Sequence, residues 1–154
     1  VMALTVNEAQ LGAIRAHGER TYPRECCGLL LGRFEPDGAK TLHAVYPVEN
    51  TWEGAGEFGL GDGEGKERRF LITPEDYRAG ERSARAQGLE VIGTYHSHPD
   101  HPARPSEFDR GNAWPVYSYL IVSVQNGQAA DLTSWTLDDE RQFQFETVHQ
   151  TTEV

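Results

Sequence analysis

The sequence predicts an α+β domain in which a mixed β-sheet is flanked by two main helices. Apolar runs of strand length outnumber helical patterns along the 154 residues. Thr73-Pro74-Glu75-Asp76 is a strong helix start, with an N-cap, a proline in the first turn and two acids near the positive end of the helix dipole. Asn126-Gly127 is a two-residue hairpin turn, whereas helices between other strands imply crossovers, so both parallel and antiparallel neighbours are expected. The length fits one domain, 1–154, with no internal repeat or linker.

The elements follow in order. Thr5 or Asn7 caps a first helix that places Leu11 and Ile14 on one face, with Gly18 near its end and Pro23 preventing continuation. Cys26 to Gly32 reads as a buried strand, Pro36-Asp37-Gly38 as a turn, and Thr41 to Val48 as the returning strand. From Glu49 to Arg69 the pattern breaks. Six of the 16 glycines fall between Gly54 and Gly65, interleaved with Glu53, Glu57, Asp62 and Glu64. A mobile, acidic, glycine-rich insertion is expected at about 49–69; long loops in compact domains are often functional, and a solvated insertion without a role is the plain alternative. The helix opened by Thr73 runs to about Gln87, closed by Gly88. Leu89 to His96 is the next strand, and Pro99, Pro102 and Pro105 stiffen the turn that follows it. A short helix begins at Ser106, and Trp114-Pro115 is expected to pack it against the sheet. Tyr117 to Val124 and Ala129 to Leu137 form the hairpin, and Phe143 and Phe145 mark a last strand.

Composition excludes several classes. With 14 Lys+Arg against 24 Asp+Glu, the net charge of −10 disfavours a nucleic-acid footprint. No apolar run approaches the roughly 18 residues of a membrane span, and Glu8, Arg15 and Glu19 are foreign to a signal peptide. The only cysteines, Cys26 and Cys27, are adjacent and cannot staple distant segments, so they are expected to be small buried residues in a reducing cytoplasm.

The chemistry concentrates in His96-Ser97-His98, followed by Ser106-Glu107-Phe108-Asp109. If the strand continues through it, His96 and His98 project to one face, because side chains alternate along a strand. Their imidazoles can then converge on one cation, and a carboxylate such as Asp109 can complete a three-ligand zinc set with a fourth position left for water. Ser106-x-x-Asp109 is equally an ordinary helix N-terminus, and the two readings are compatible if Ser106 starts the helix that presents Asp109. His101, in the proline turn, is expected to be a bystander, and His17, His43 and His149 lack partner spacing.

Together with Glu25 in Arg24-Glu25-Cys26-Cys27-Gly28-Leu29-Leu30-Leu31-Gly32, this spacing resembles the JAMM motif of the MPN (Mov34/PAD-1) metallopeptidases, in their small prokaryotic branch. The resemblance covers most of the chain. It implies the cytidine-deaminase-like JAMM/MPN fold with a mixed, curved sheet, and one Zn2+ per chain held by His96, His98 and Asp109. It implies Glu25 as the general base that moves a proton from water to the leaving amine, and Ser106 as a hydrogen-bond donor to the oxyanion. Members of the branch are linked to ubiquitin-like, β-grasp sulfur-carrier proteins, so the implied reaction is hydrolysis of an amide after a carrier's C-terminal Gly-Gly. The insertion at 49–69 lies where relatives clasp an extended tail. A different metal-dependent amidase, acting on cell-wall peptides or small amides, and a non-catalytic MPN scaffold are the alternatives; the full set of Glu25, His96, His98, Ser106 and Asp109 argues against the scaffold. The sequence leaves the oligomeric state open.

Overall fold

The computed structural model describes residues 3–53 and 65–152. Seven strands and three helices alternate along the described chain: β1 (Ala3–Asn7), α1 (Glu8–Thr21), β2 (Cys27–Phe34), β3 (Lys40–Val48), α2 (Pro74–Ala86), β4 (Glu90–Pro99), α3 (Glu107–Gly111), β5 (Ser118–Gln125), β6 (Gln128–Leu137) and β7 (Phe143–Thr151). The strands run in the order β1-β3-β2-β4-β5-β6-β7, and β7 pairs with β1 to close the sheet into a barrel. Pairing is mixed: β1–β3, β1–β7 and β4–β5 are parallel, and the other four pairs are antiparallel. The expected mixed sheet with two main helices is present, and its curvature runs to full closure.

The start of the chain corrects one local expectation and a glycine refines another. The chain before the first helix is a strand, β1, whose Leu4 and Val6 are buried while the residues between them are only partly so. Five residues of alternation next to a helix cap are a weak signal, and the pairing with β3 and β7 is what makes them a strand. Gly18 lies near the end of α1, as expected, but it does not terminate the helix, which continues to Thr21; a Cβ there would come within 3.0 Å of Val124 Cγ2, so the glycine is a packing device where the helix meets β5. The cap itself is Asn7, whose side chain accepts the Gln10 N–H while Gln10 returns a bond to the Asn7 N–H.

Strand alternation sorts β2 between two apolar clusters. Cys26 and Leu30 face α1 together with Leu11, Ile14, Tyr95, Leu120 and Val122. Cys27, Leu29 and Leu31 face the other way, against Ala84 of α2, Phe70 and Ile72. Both cysteines are buried and free, as expected, and burial raises the Cys26 thiol to about 11. Gly28 is glycine because the Tyr95 ring lies over it: a Cβ would sit 2.2 Å from Tyr95 Cε1. The Asn126-Gly127 turn takes φ of 51° and 84°, the left-handed pair of a type I′ hairpin.

Of the 49–69 insertion, residues 54–64 lie outside the described residues. Its flanks carry no strand or helix, yet Trp52 is buried edge-on against Phe108 of α3, with ring centroids 5.4 Å apart. None of the helices among the described residues is long and apolar enough to cross a membrane.

Candidate active site

β4 extends through Pro99, so His96 and His98 stand on the same side of the strand, as their spacing requires. Ser97 points the other way and donates nothing to the site; its Oγ accepts the Cys26 N–H at 2.8 Å. Asp100, at φ 59°, ends the strand and accepts the Asn126 N–H, which anchors the turn after it.

Antiparallel pairing brings in the distant carboxylate. Cys27 lies opposite His96 and Gly28 opposite Tyr95, so two steps back along β2 and two forward along β4 set Glu25 beside His98. Glu25 is only 3% exposed. Burial pushes its carboxyl well above the usual range, the charge of Asp109 adds to that, and Arg69 and Arg68 oppose it.

Asp109 arrives from α3. Ser106 caps that helix: its Oγ accepts the Asp109 N–H at 3.1 Å, and Asp109 Oδ2 accepts the Ser106 N–H at 2.8 Å. The cap and the site are one arrangement, because the same Oδ2 lies 3.3 Å from His96 Nε2 and 3.4 Å from His98 Nε2. The two Nε2 atoms are 3.2 Å apart.

This nearly equilateral triangle has the spacing of donors around one cation. Donors about 2.0–2.1 Å from a tetrahedral zinc sit about 3.3 Å from one another. His98 Nδ1 lies 2.7 Å from the Pro102 carbonyl, which can only accept, so Nδ1 carries the proton and Nε2 presents a lone pair. Phe70 stacks on the His96 ring at 4.6 Å, and His96 Nδ1 is buried without a protein partner among the described residues. Lone pairs and a carboxylate oxygen crowded this closely repel unless a positive charge lies among them, so the donor set fits the metal that the motif implies.

The structure therefore brings together all five residues singled out in the sequence. Two more residues lie beside them. His101 stacks on His98, with ring centroids 4.2 Å apart; burial, then the neighbouring His98, lowers its pKa. Asn50 holds the backbone at Glu25. Neither has a motif around it, because their partners are chosen by the fold. Trp114 corrects an expectation: it is 68% exposed on the rim of the groove beside the site, and Trp52 and Arg69 cover α3 through Phe108 instead.

A closed mixed barrel with a His-x-His strand end and a helix-borne aspartate is the arrangement of the JAB/MPN class. A profile of prokaryotic homologs of the JAB domain matches residues 7–138, and the chain belongs to that family. It is similar to desampylase of Haloferax volcanii, 33% identical over 142 residues that cover 92% of this chain and 91% of the relative. It is also similar to a probable TtuB-protein conjugate cleaving protease of Thermus thermophilus, 30% identical over 129 residues, 83% of this chain and 75% of that one. A solved structure of a Salinibacter ruber protein is 40% identical and superimposes with a TM-score of 0.70 over 96% of this chain and 90% of the other. The family relationship makes the chain a hydrolytic peptidase or isopeptidase.

Proposed function

We propose that residues 1–154 form one zinc-dependent peptidase domain that hydrolyses the amide bond after the C-terminal Gly-Gly of a ubiquitin-like, β-grasp sulfur-carrier protein or its conjugate. The observation that carries this reading is the triangle of His96 Nε2, His98 Nε2 and Asp109 Oδ2, with the buried Glu25 carboxyl alongside. Those three atoms would hold one zinc ion. When bound, the ion supplies Lewis acidity and lowers the pKa of water from about 15.7 to about 7.

The chain's own residues do the rest. Glu25 accepts a proton as the attacking water oxygen adds to the scissile carbonyl carbon. It then delivers that proton to the amine nitrogen as the C–N bond breaks, which closes the proton balance. A carboxyl whose pKa is raised by burial suits both halves of this shuttle. Ser106 Oγ, already accepting the Asp109 N–H, retains its own hydrogen to donate to the oxyanion.

A groove of about 880 Å³ runs from His96 and Asp109 past Phe70, Tyr77, Trp114 and Tyr117. An extended chain end would fill such an apolar channel, whereas a small amide would leave most of it wet, and this favours a protein tail over a small-amide substrate. The name of the Thermus relative, a probable conjugate cleaving protease, supports the same side.

The test is single-turnover cleavage of a ubiquitin-like carrier extended past its Gly-Gly. Metal-free protein should be inactive and regain activity with one zinc. Glu25→Gln should keep its zinc and substrate affinity while kcat falls about 10²–10⁴-fold, the usual contribution of a positioned acid/base group. Wild-type turnover in the zinc-loaded Gln variant would reject the mechanism.

A further inference from the structure

His101 is held more firmly than a bystander needs to be. Its ring lies flat against that of His98, 4.2 Å between centroids and 23° between planes. Its Nδ1 is 2.9 Å from the Pro99 carbonyl, so the proton sits on Nδ1 and Nε2 keeps a lone pair. Its own carbonyl accepts the Ser123 hydroxyl at 2.7 Å, which pins the turn to β5. One donor atom each from Glu25, His98 and His101 lie within 4.8 Å of one another, a second metal-ligating cluster beside the His96–His98–Asp109 set.

We propose that Glu25 and His101, on either side of His98, form a second and weaker cation position at which excess zinc lodges and inhibits the enzyme. Carboxylate oxygen and neutral imidazole nitrogen are both zinc donors. His98 cannot serve two ions: its Nδ1 faces the Pro102 carbonyl, so only Nε2 is free, and that nitrogen belongs to the triangle with His96 and Asp109. The second ion therefore has two protein donors of its own, against three for the first, and binds more weakly. A Glu25 carboxylate committed to a cation cannot take a proton from water. Occupancy of this position thus stops the reaction. The inhibitory part rests on the reading of Glu25 as the base; the cation position does not.

The experiment titrates the metal-free full chain with zinc chloride, measuring bound zinc by equilibrium dialysis and carrier cleavage on the same samples. Wild type should take up one tight equivalent with full activity, then a second equivalent at least tenfold weaker, with activity falling at least tenfold as it binds. His101→Phe keeps the ring stacked on His98 and should retain the first equivalent and its activity while losing both the second equivalent and the inhibition. Glu25→Gln should also lose the second equivalent, a result read by dialysis alone. Saturation of wild type at one equivalent, or a second equivalent that survives in His101→Phe, would overturn the proposal. A second, His101-dependent equivalent that leaves cleavage intact would overturn its inhibitory part and count against Glu25 as the base. If one zinc never produces cleavage, the proposed function fails while the dialysis still tests the second position.

Discussion

Asn50 joins three segments at the base of the site. Its Nδ2 donates to the carbonyls of Glu25 at 3.0 Å and Arg69 at 2.9 Å, and its Oδ1 accepts the N–H groups of Trp52 and Leu71. The side chain uses both donor hydrogens and accepts twice, which is all an amide can do. The Glu25 N–H is held separately by the Lys66 carbonyl at 2.7 Å. None of the three proposed zinc donors touches Asn50. Asn50→Ala should therefore keep its zinc while kcat drops about ten- to a hundredfold through misplacement of Glu25, with about 1–3 kcal/mol lost in stability. Zinc analysis, turnover and urea unfolding of one preparation check this; a stability loss with unchanged kcat would make Asn50 purely structural. No motif marked Asn50 in the sequence, because its partners lie up to 25 residues away.

At the scale of the element, α3 has only five residues and no buried member, so its first turn depends on the cap. Ser106 and Asp109 bond each other reciprocally, and the Asp109 oxygen that closes the cap is the one facing both imidazoles. Loss of the cap should therefore weaken the metal centre. Ser106→Ala is expected to cost about 1 kcal/mol of local stability and to lower zinc affinity, whereas Ser106→Asn, another good N-cap, should restore that affinity. Competition with a chromogenic chelator measures both variants; equal zinc affinity in wild type and Ser106→Ala would separate the cap from the metal. This relation was legible in the sequence, since both the capping box and the reach to His96 and His98 follow from local spacing.

Across the whole molecule, a buried polar cluster ties four strands of the barrel together. Lys40 Nζ on β3 lies 3.0 Å from Glu146 Oε2 on β7, and Glu146 Oε1 accepts hydroxyls from Ser118 on β5 and Ser134 on β6, each at 2.7 Å. Every partner is buried. Glu146→Ala would leave the Lys40 ammonium unpaired in the interior and should cost about 3–5 kcal/mol by denaturant unfolding; a loss under about 1 kcal/mol would mean the cluster is dispensable. His17 acts on stability through pH. Its Nδ1 lies 2.7 Å from the buried Tyr95 hydroxyl, and burial, then Arg20, lowers its pKa below 6.5. Between the folded and unfolded values the unfolded chain binds more protons, so stability rises with pH. It is intact above about 6.5 and lost as pH falls through the folded value. Urea midpoints from pH 7.5 to 5 should fall more steeply in wild type than in His17→Gln, and parallel curves would exclude His17 as the source.

The sequence by itself determined what depends on near neighbours. Asn126-Gly127 set the β5–β6 hairpin, Thr73-Pro74 opened α2, alternation placed His96 and His98 on one face, and Ser106-x-x-Asp109 started α3. Each is governed by contacts within about four residues, which a linear reading captures. Tertiary structure decided the rest. It made β1 a strand and closed the barrel through β7, set Glu25 beside His98 by the β2–β4 register, and recruited Asn50 and His101. It also left Trp114 on the groove rim, while Trp52 and Arg69 lie over Phe108. Strand partners and side-chain neighbours far apart in the chain are selected by the packing of all elements at once, and no local pattern encodes that choice.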